Sequence, residues 1–400
     1  MNAAPKPLNI LHLTPYAPPA WAYGGVVMAV GGLAAAQAER GHTVTLLTTD
    51  AGDFTTRLPS GDQTVEAVRV VRCRNLIYPL RAKFNLSTPL GYGAAFRRLA
   101  AAADVIHAHE LRTAENVIAA LSGPHKRLIL SAHGTLSYAT GRGGFKTAWD
   151  RLLGRAVMQR VSAAAALTAT ERDEIGALWA AMGLQAPPTA IIPNGVGAEV
   201  LTALADPALP AAAESFRAKW GLGAGPVILF LGRLHERKGL QFLIPAFASL
   251  AADFPSARVL VAGADSGMLR VAQRLAYEGG VAGRVIFTGL LSGQDRIAAL
   301  RVADIFALPA VGEGLSMAAL EALAAGIPAL LTPGCNLPEI ADRGAGIVVD
   351  RAVGSIAAGL RTLLADESGR RMMGERGAAW VREAFTWPKV AEQFEVLYAG

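Results

Sequence analysis

The chain has 400 residues, 52% hydrophobic and 18% charged, with a formal net charge of +6. That length suits two hydrophobic cores rather than one, and that composition excludes a disordered chain. Aromatic residues make up only 6% and no recognised nucleic-acid module occurs, so the positive balance does not read as nucleic-acid binding.

From the N-terminus, short β-type runs alternate with helical segments, the pattern of parallel sheets covered by helices. Strands are expected at Leu8–Leu13, Thr43–Thr48, Val65–Val71, Val105–Ala108, Leu128–Ala132, Ala166–Ala169 and Ala190–Ile192. Helices are expected over Gly25–Arg40, Leu90–Ala102, Ala114–Leu121, Lys146–Val161 and Thr170–Met182. Pro193–Pro210 and the helical segment after it carry no strand signal, are rich in Ala, Pro and Gly, and read as a linker. A second series then begins. Its strands are Val227–Leu231, Arg258–Val261, Val285–Phe287, Ile305–Leu308, Ala329–Leu331 and Ile347–Val349. Its helices are Leu240–Ala252, Met268–Glu278, Gln294–Arg301, Ser316–Ala325, Ala352–Ala365 and Gly369–Ala384. The expected fold class is therefore α/β, with two doubly wound Rossmann-like domains facing a central cleft, and ligand at the carboxyl ends of the strands. The boundaries are 1–195 for the first domain and 196–385 for the second.

The most informative stretch runs from Glu313 to Pro328. Two carboxylates, Glu313 and Glu321, stand eight residues apart around an apolar segment of helical spacing. Between them Gly314, Leu315, Ser316 and Met317 fall where the first free N–H groups of a helix lie, a ready anion site. Carboxylates beside an anion site make sense for a ligand carrying both hydroxyls and phosphates, as a nucleotide sugar does. Arg233 and Lys238 stand just past the strand Val227–Leu231 and flank a turn, where two cations can neutralise a diphosphate. Gly24-Gly25 precedes a helix and allows close backbone approach. His133 falls at a strand's carboxyl end. His107 and His109 share one face of a strand, but no carboxylate or cysteine completes a metal set, and no metal site is expected. Asn194-Gly195 reads as the start of the interdomain turn.

Taken in order, these segments resemble the GT-B family 4 glycosyltransferases over nearly the whole chain: Tyr16…Gly24-Gly25, Arg40 to Thr45, Asp104 to His109, His133-Gly134, Thr168 to Glu171, Ile192 to Val196, Gly232-Arg233…Lys238-Gly239, Phe287 to Gly289, and the Glu313/Glu321 segment. The resemblance implies a retaining enzyme that moves a sugar from a nucleotide-diphosphate sugar to a glycan or polyprenyl-diphosphate-linked acceptor, in polysaccharide or cell-envelope synthesis, with no metal or other cofactor. It implies that Arg233 and Lys238 bind the donor diphosphate, Glu313 the sugar hydroxyls and Glu321 the ribose. The amides of Gly314–Met317 would hold phosphate or sugar, Phe287–Leu290 (Gly289 and Leu290 among them) and Val261–Ala264 would lie against the base, and His133 would sit by the reacting sugar. Asn194, Gly24 and Gly25 complete the implied donor set, and a last helix, 386–400, would cross back to the first domain. Two departures bear on donor identity: Gly197 where the family often has Asp, and Glu313-Gly-Leu-Ser without the frequent Phe-Gly. The rival readings are a sugar-nucleotide epimerase of the same fold and a non-catalytic sugar-binding protein.

Cys73 and Cys335 match no metal spacing and suit a reducing compartment. No uncharged run reaches the roughly 18–20 residues of a membrane span, and Asn9 and His12 interrupt the first apolar run, so no signal peptide is expected. The expected location is the cytoplasm. Basic residues gather in the N-terminal half, among them Arg69, Arg72, Arg81, Arg97, Arg98, Arg151 and Arg155, which suits contact with an anionic membrane face. Acceptor specificity is expected in Gly134–Arg160.

Overall fold

In the computed structural model, which describes residues 6–53, 55–84, 86–122, 126–136 and 143–400, the chain forms two compact units. One is Met1–Gly195 with Trp387–Gly400; the other is Val196–Thr386.

The first unit holds β1 (Asn9–Leu13), β2 (Thr43–Thr49), β3 (Gly61–Val65), β4 (Val68–Cys73), β5 (Val105–His109), β6 (Leu128–Ser131), β7 (Val161–Ala166) and β8 (Thr189–Ile191). They form one sheet in the order β3-β4-β2-β1-β5-β6-β7-β8. All neighbours are parallel except the hairpin β3–β4. In the second unit β9 (Val227–Leu231), β10 (Arg258–Ala262), β11 (Val285–Gly289), β12 (Ile305–Leu308), β13 (Ala329–Leu331) and β14 (Gly346–Val348) form a parallel sheet. Its order is β11-β10-β9-β12-β13-β14, the Rossmann arrangement, in which strand order reverses between β9 and β12. Helices cover both faces of such a sheet, which is why β9 (Val-Ile-Leu-Phe-Leu) is apolar throughout and fully buried.

Four expectations are corrected. The run Val65–Val71 is not one strand: Glu66 (φ 49°) and Ala67 (φ 65°) turn the chain back, and β3 pairs antiparallel with β4. Every residue of β3 is exposed, so it carries no apolar alternation to read. β7 lies at Val161–Ala166 rather than Ala166–Ala169, because Thr168 caps the next helix, Ala169–Ala181, by accepting from the Glu171 amide. The long helix expected over Lys146–Val161 is broken into Gly143–Trp149, a wide turn at Asp150–Gly154, and Arg155–Met158. The linker stretch Pro193–Pro210 itself holds a helix, Ala198–Leu204, ahead of the expected helical segment, which is Leu209–Lys219.

The C-terminal helix Trp387–Ala399 packs on the first unit beside the helix Gly25–Glu39. Only glycine permits that approach at residue 32: a Cβ there would lie 2.2 Å from the Trp387 indole nitrogen. Trp387, Val390, Ala391, Phe394 and Tyr398 join Ile10, Leu33, Val105 and Ile129 in one core on this face of the sheet. No helix among the described residues is long and apolar enough to cross a membrane.

Candidate functional site

In the second unit the candidate residues gather at the reversal of strand order. β9 ends at Leu231, and after Arg233 a short 3-10 turn, Glu236–Lys238, is capped by His235, whose ring accepts from the Arg237 amide. Gly239 ends the turn at φ +86°, and its backbone presses against the end of β12: a Cβ would lie 2.1 Å from the Pro309 carbonyl. This close approach brings the Lys238 ammonium within 2.7 Å of the Glu313 carboxylate. The Arg233 side chain stays exposed and makes no hydrogen bond or ion pair among the described residues.

The loop before Glu313 is fixed from several sides. Arg237 donates to the carbonyls of Val311 and Gly312, and Asn336 donates to Glu313 O at 2.6 Å. Arg351 bridges the carbonyls of Pro309 and Glu236, each at 2.9 Å. Gly314 and Leu315 then lead into the helix Met317–Ala324, where Ser316 is the N-cap and accepts from the Ala319 amide at 3.3 Å. That leaves the first-turn N–H groups at the strand ends.

Glu321 sits within this helix, 1% exposed, and is ion-paired with Arg296 of the helix Gly293–Val302. Burial pushes its carboxyl upward, and the Arg296 guanidinium opposes that shift. Arg296 has no signal in the sequence beyond its charge, and sequence reasoning missed it. Gly289 closes β11 at φ +72°, and Leu290 after it is 75% exposed.

The first unit holds the others. Gly24 and Gly25 are exposed at the start of the helix Gly25–Glu39, with open space where a Cβ would stand. Asn194 is buried beyond β8, and Gly195 packs against Trp387. His133 follows β6 in a left-handed backbone conformation, φ 56°, one that few non-glycine residues adopt. The expected acceptor segment begins at Gly134, whose amide donates to the buried Glu171 carboxylate. Arg112 anchors it further on by a bidentate pair with Asp150, both contacts 2.9 Å. Residues 137–142 of that segment lie outside the described residues.

His133 is the end of a buried chain. Its Nε2 is 2.8 Å from His109 Nδ1, His109 Nε2 is 2.8 Å from His12 Nδ1, and His12 Nε2 is 2.7 Å from Gln37 Oε1. Gln37 donates to the Tyr398 hydroxyl at 3.0 Å, and Tyr398 meets His107 Nδ1 at 2.7 Å. His107 Nε2 meets Ser131 Oγ at 2.8 Å. Register explains the gathering, since His12 pairs with His107 across β1 and β5, and His109 with Ser131 across β5 and β6. Burial lowers the pKa of His12 and of His133 to about 4, and that of His107 and His109 well below the usual range. All four rings are thus neutral at neutral pH. His109 is fully buried, its Nδ1 facing His133. The ligand nitrogens of His12, His107 and His109 lie within 4.8 Å of one another, but every one already has the protein partner just described.

Sequence reasoning also missed Glu110, next to His109. It has φ 60° and accepts from the Tyr16 hydroxyl at 2.7 Å, across the reversal between β1 and β5. Burial pushes its carboxyl up to about 7.

Two family models match this chain. Residues 23–200 match "Glycosyltransferase Family 4", and residues 213–380 match "Glycosyl transferases group 1". The chain belongs to glycosyltransferase family 4. It is 32% identical over 200 residues to a GDP-mannose-dependent alpha-(1-6)-phosphatidylinositol monomannoside mannosyltransferase of Mycobacterium tuberculosis, covering 48% of this chain and 52% of that protein. It is 34% identical over 211 residues to a D-inositol 3-phosphate glycosyltransferase of Corynebacterium efficiens, covering 51% of this chain and 49% of that one. The chain thus spans about half the length of the curated relatives it matches. Its fold is similar to that of sucrose-phosphate synthase from Thermosynechococcus elongatus, with TM-score 0.74, 21% identity and 98% of both chains covered. It is likewise similar to Anabaena HepE solved with UDP and glucose, with TM-score 0.73, 16% identity, and 98% and 100% covered. The two parallel-sheet α/β units are those of this family's GT-B fold.

Proposed function

We propose that this family 4 chain is a retaining glycosyltransferase that moves a sugar from a nucleotide-diphosphate sugar to a glycan or lipid-linked acceptor. One observation carries the reading: Lys238 and Glu313 form a cation–carboxylate pair at the reversal of a Rossmann sheet, beside an unpaired Arg233 and a capped helix N-terminus. A diphosphate needs the cations and the amides, and a sugar needs the carboxylate. On donor binding Lys238 turns from Glu313 to the phosphates, freeing Glu313 to accept from sugar hydroxyls. Glu321 retains lone pairs beyond those facing Arg296 and accepts from the ribose.

The chemistry is departure of a nucleoside diphosphate from the anomeric carbon. The breaking C–O bond leaves its electron pair on the diphosphate, and the sugar becomes oxocarbenium-like. Arg233, Lys238 and the Ser316–Met317 amides stabilise that growing negative charge, and preorganised donors are worth about 3–4 kcal/mol each in other enzymes. The acceptor hydroxyl attacks on the face the diphosphate leaves, its proton passing to a diphosphate oxygen, and His133 hydrogen-bonds a hydroxyl of the reacting sugar. No step calls for a metal, since the cations and amides do the work of charge neutralisation.

Names among the relatives make GDP-mannose the first donor to test and a phosphoinositol-containing lipid the first acceptor. The exposed Leu152 and Leu153 beside exposed Arg151 and Arg155 support peripheral contact with an anionic membrane. The test is to incubate the protein with GDP-, UDP- and ADP-sugars and acceptor lipids and determine the product anomer. Transfer with retention is expected. An inverted product, or no transfer from any donor, overturns the reading.

A further inference from the structure

His133 touches only one member of the buried chain behind it, yet the whole chain bears on which of its nitrogens carries the proton. The Gln37 amide group donates through Nε2 to Tyr398, so its Oε1 faces His12 Nε2. A carbonyl oxygen accepts only, so His12 Nε2 must carry the hydrogen. Each ring is neutral and holds one hydrogen, so His12 Nδ1 is bare and must accept from His109 Nε2. By the same step His109 Nδ1 is bare and accepts from His133 Nε2. His133 Nδ1 is then a bare acceptor, and it is buried with no partner among the described residues. Turning the Gln37 amide over would reverse every bond in the series and put the hydrogen on His133 Nδ1.

We propose that Gln37 and Tyr398 are positioning residues that hold His133 in its Nε2–H form, so that Nδ1 stands ready to accept a substrate hydroxyl. Tyr398 holds the amide this way round by accepting from Gln37 Nε2, and its own hydrogen is then left for His107 Nδ1, 2.7 Å away. The C-terminal helix thereby reaches His133 through one helix and two strands without touching substrate. The inference rests on the assignment of His133 to the reacting sugar, but the proton arrangement itself does not.

Histidine nitrogen NMR on the ligand-free, 15N-labelled protein tests it. The expected spectrum has Nε2 protonated and Nδ1 bare in His12, His109 and His133. In Gln37→Leu and in Tyr398→Phe, the His133 nitrogens should move toward averaged positions, as both tautomers become populated. Turnover of GDP-mannose by either variant should show kcat lowered about tenfold, the loss of one substrate hydrogen bond, with KM little changed. A wild-type His133 protonated at Nδ1 overturns the proposal. So does a His133 tautomer unchanged in both variants. If Gln37→Leu fails to fold, the wild-type spectrum and Tyr398→Phe still decide. Absence of turnover with any nucleotide sugar would count against the assigned activity, while the NMR spectra would still decide the proton arrangement.

Discussion

Lys238 and Glu313 neutralise each other at 2.7 Å, both less than one-fifth exposed, so each variant exposes the other's charge as well as removing a donor contact. Lys238→Ala and Glu313→Ala are each expected to lower kcat/KM at least tenfold, roughly one charge-assisted hydrogen bond. Steady-state kinetics check this, and near-normal rates would refute the roles. Glu110 makes a pH prediction. Its carboxyl rises from 4.5 to about 7 on folding, so the native state holds its proton more tightly than the unfolded chain. The protonated form's stability is fully present below pH 4.5 and lost as pH rises to 7. Glu110→Gln, which keeps the neutral shape, should therefore gain melting temperature over wild type at pH 8 and little at pH 4.5. Lys238, Glu313 and Arg233 were legible because charges past a strand's end have few structural reasons to be there. Glu110 was not, since its burial comes from neighbours distant in the chain, Tyr16 among them.

Between elements, the helices Gly293–Val302 and Met317–Ala324 are joined by Arg296 and Glu321. Arg296 is 26% exposed and Glu321 1%, so removing the guanidinium strands a buried carboxylate. Arg296→Met is expected to cost about 2–3 kcal/mol, toward the lower end for a broken buried pair because the arginine is partly hydrated. It should also shift Glu321 further upward. Urea denaturation measures the first effect, and an unchanged midpoint would show the pair to be dispensable. Most element boundaries followed from apolar runs and caps. The exceptions have local causes: β3 has no buried face, and the four alanines Ala163–Ala166, good helix formers by propensity, lie in β7 because the sheet buries them on both sides.

For the molecule as a whole, donor binding to the native state must stabilise it by mass action, about 2.7 kcal/mol at a hundred times Kd. A thermal-shift series with GDP-mannose, UDP-glucose and ADP-glucose should give its largest rise with the true donor, and Lys238→Ala should abolish that rise. Equal small shifts for all three would count against a nucleotide-sugar site. The stretch from Glu313 to Glu321, Arg233…Lys238 and the alternation of strands with helices are local in sequence; local spacing sufficed to determine two α/β cores, and it carries the ligand proposed above. What only tertiary structure decided is long-range pairing. The partners of Glu321 and His133 lie on other elements, and Gln37 and Tyr398 are 361 positions apart in the chain. No periodicity encodes such contacts, because they arise when parallel strands align in register and a glycine at position 32 lets the last helix close on the first. Sheet register thus converted four scattered histidines into one hydrogen-bonded series.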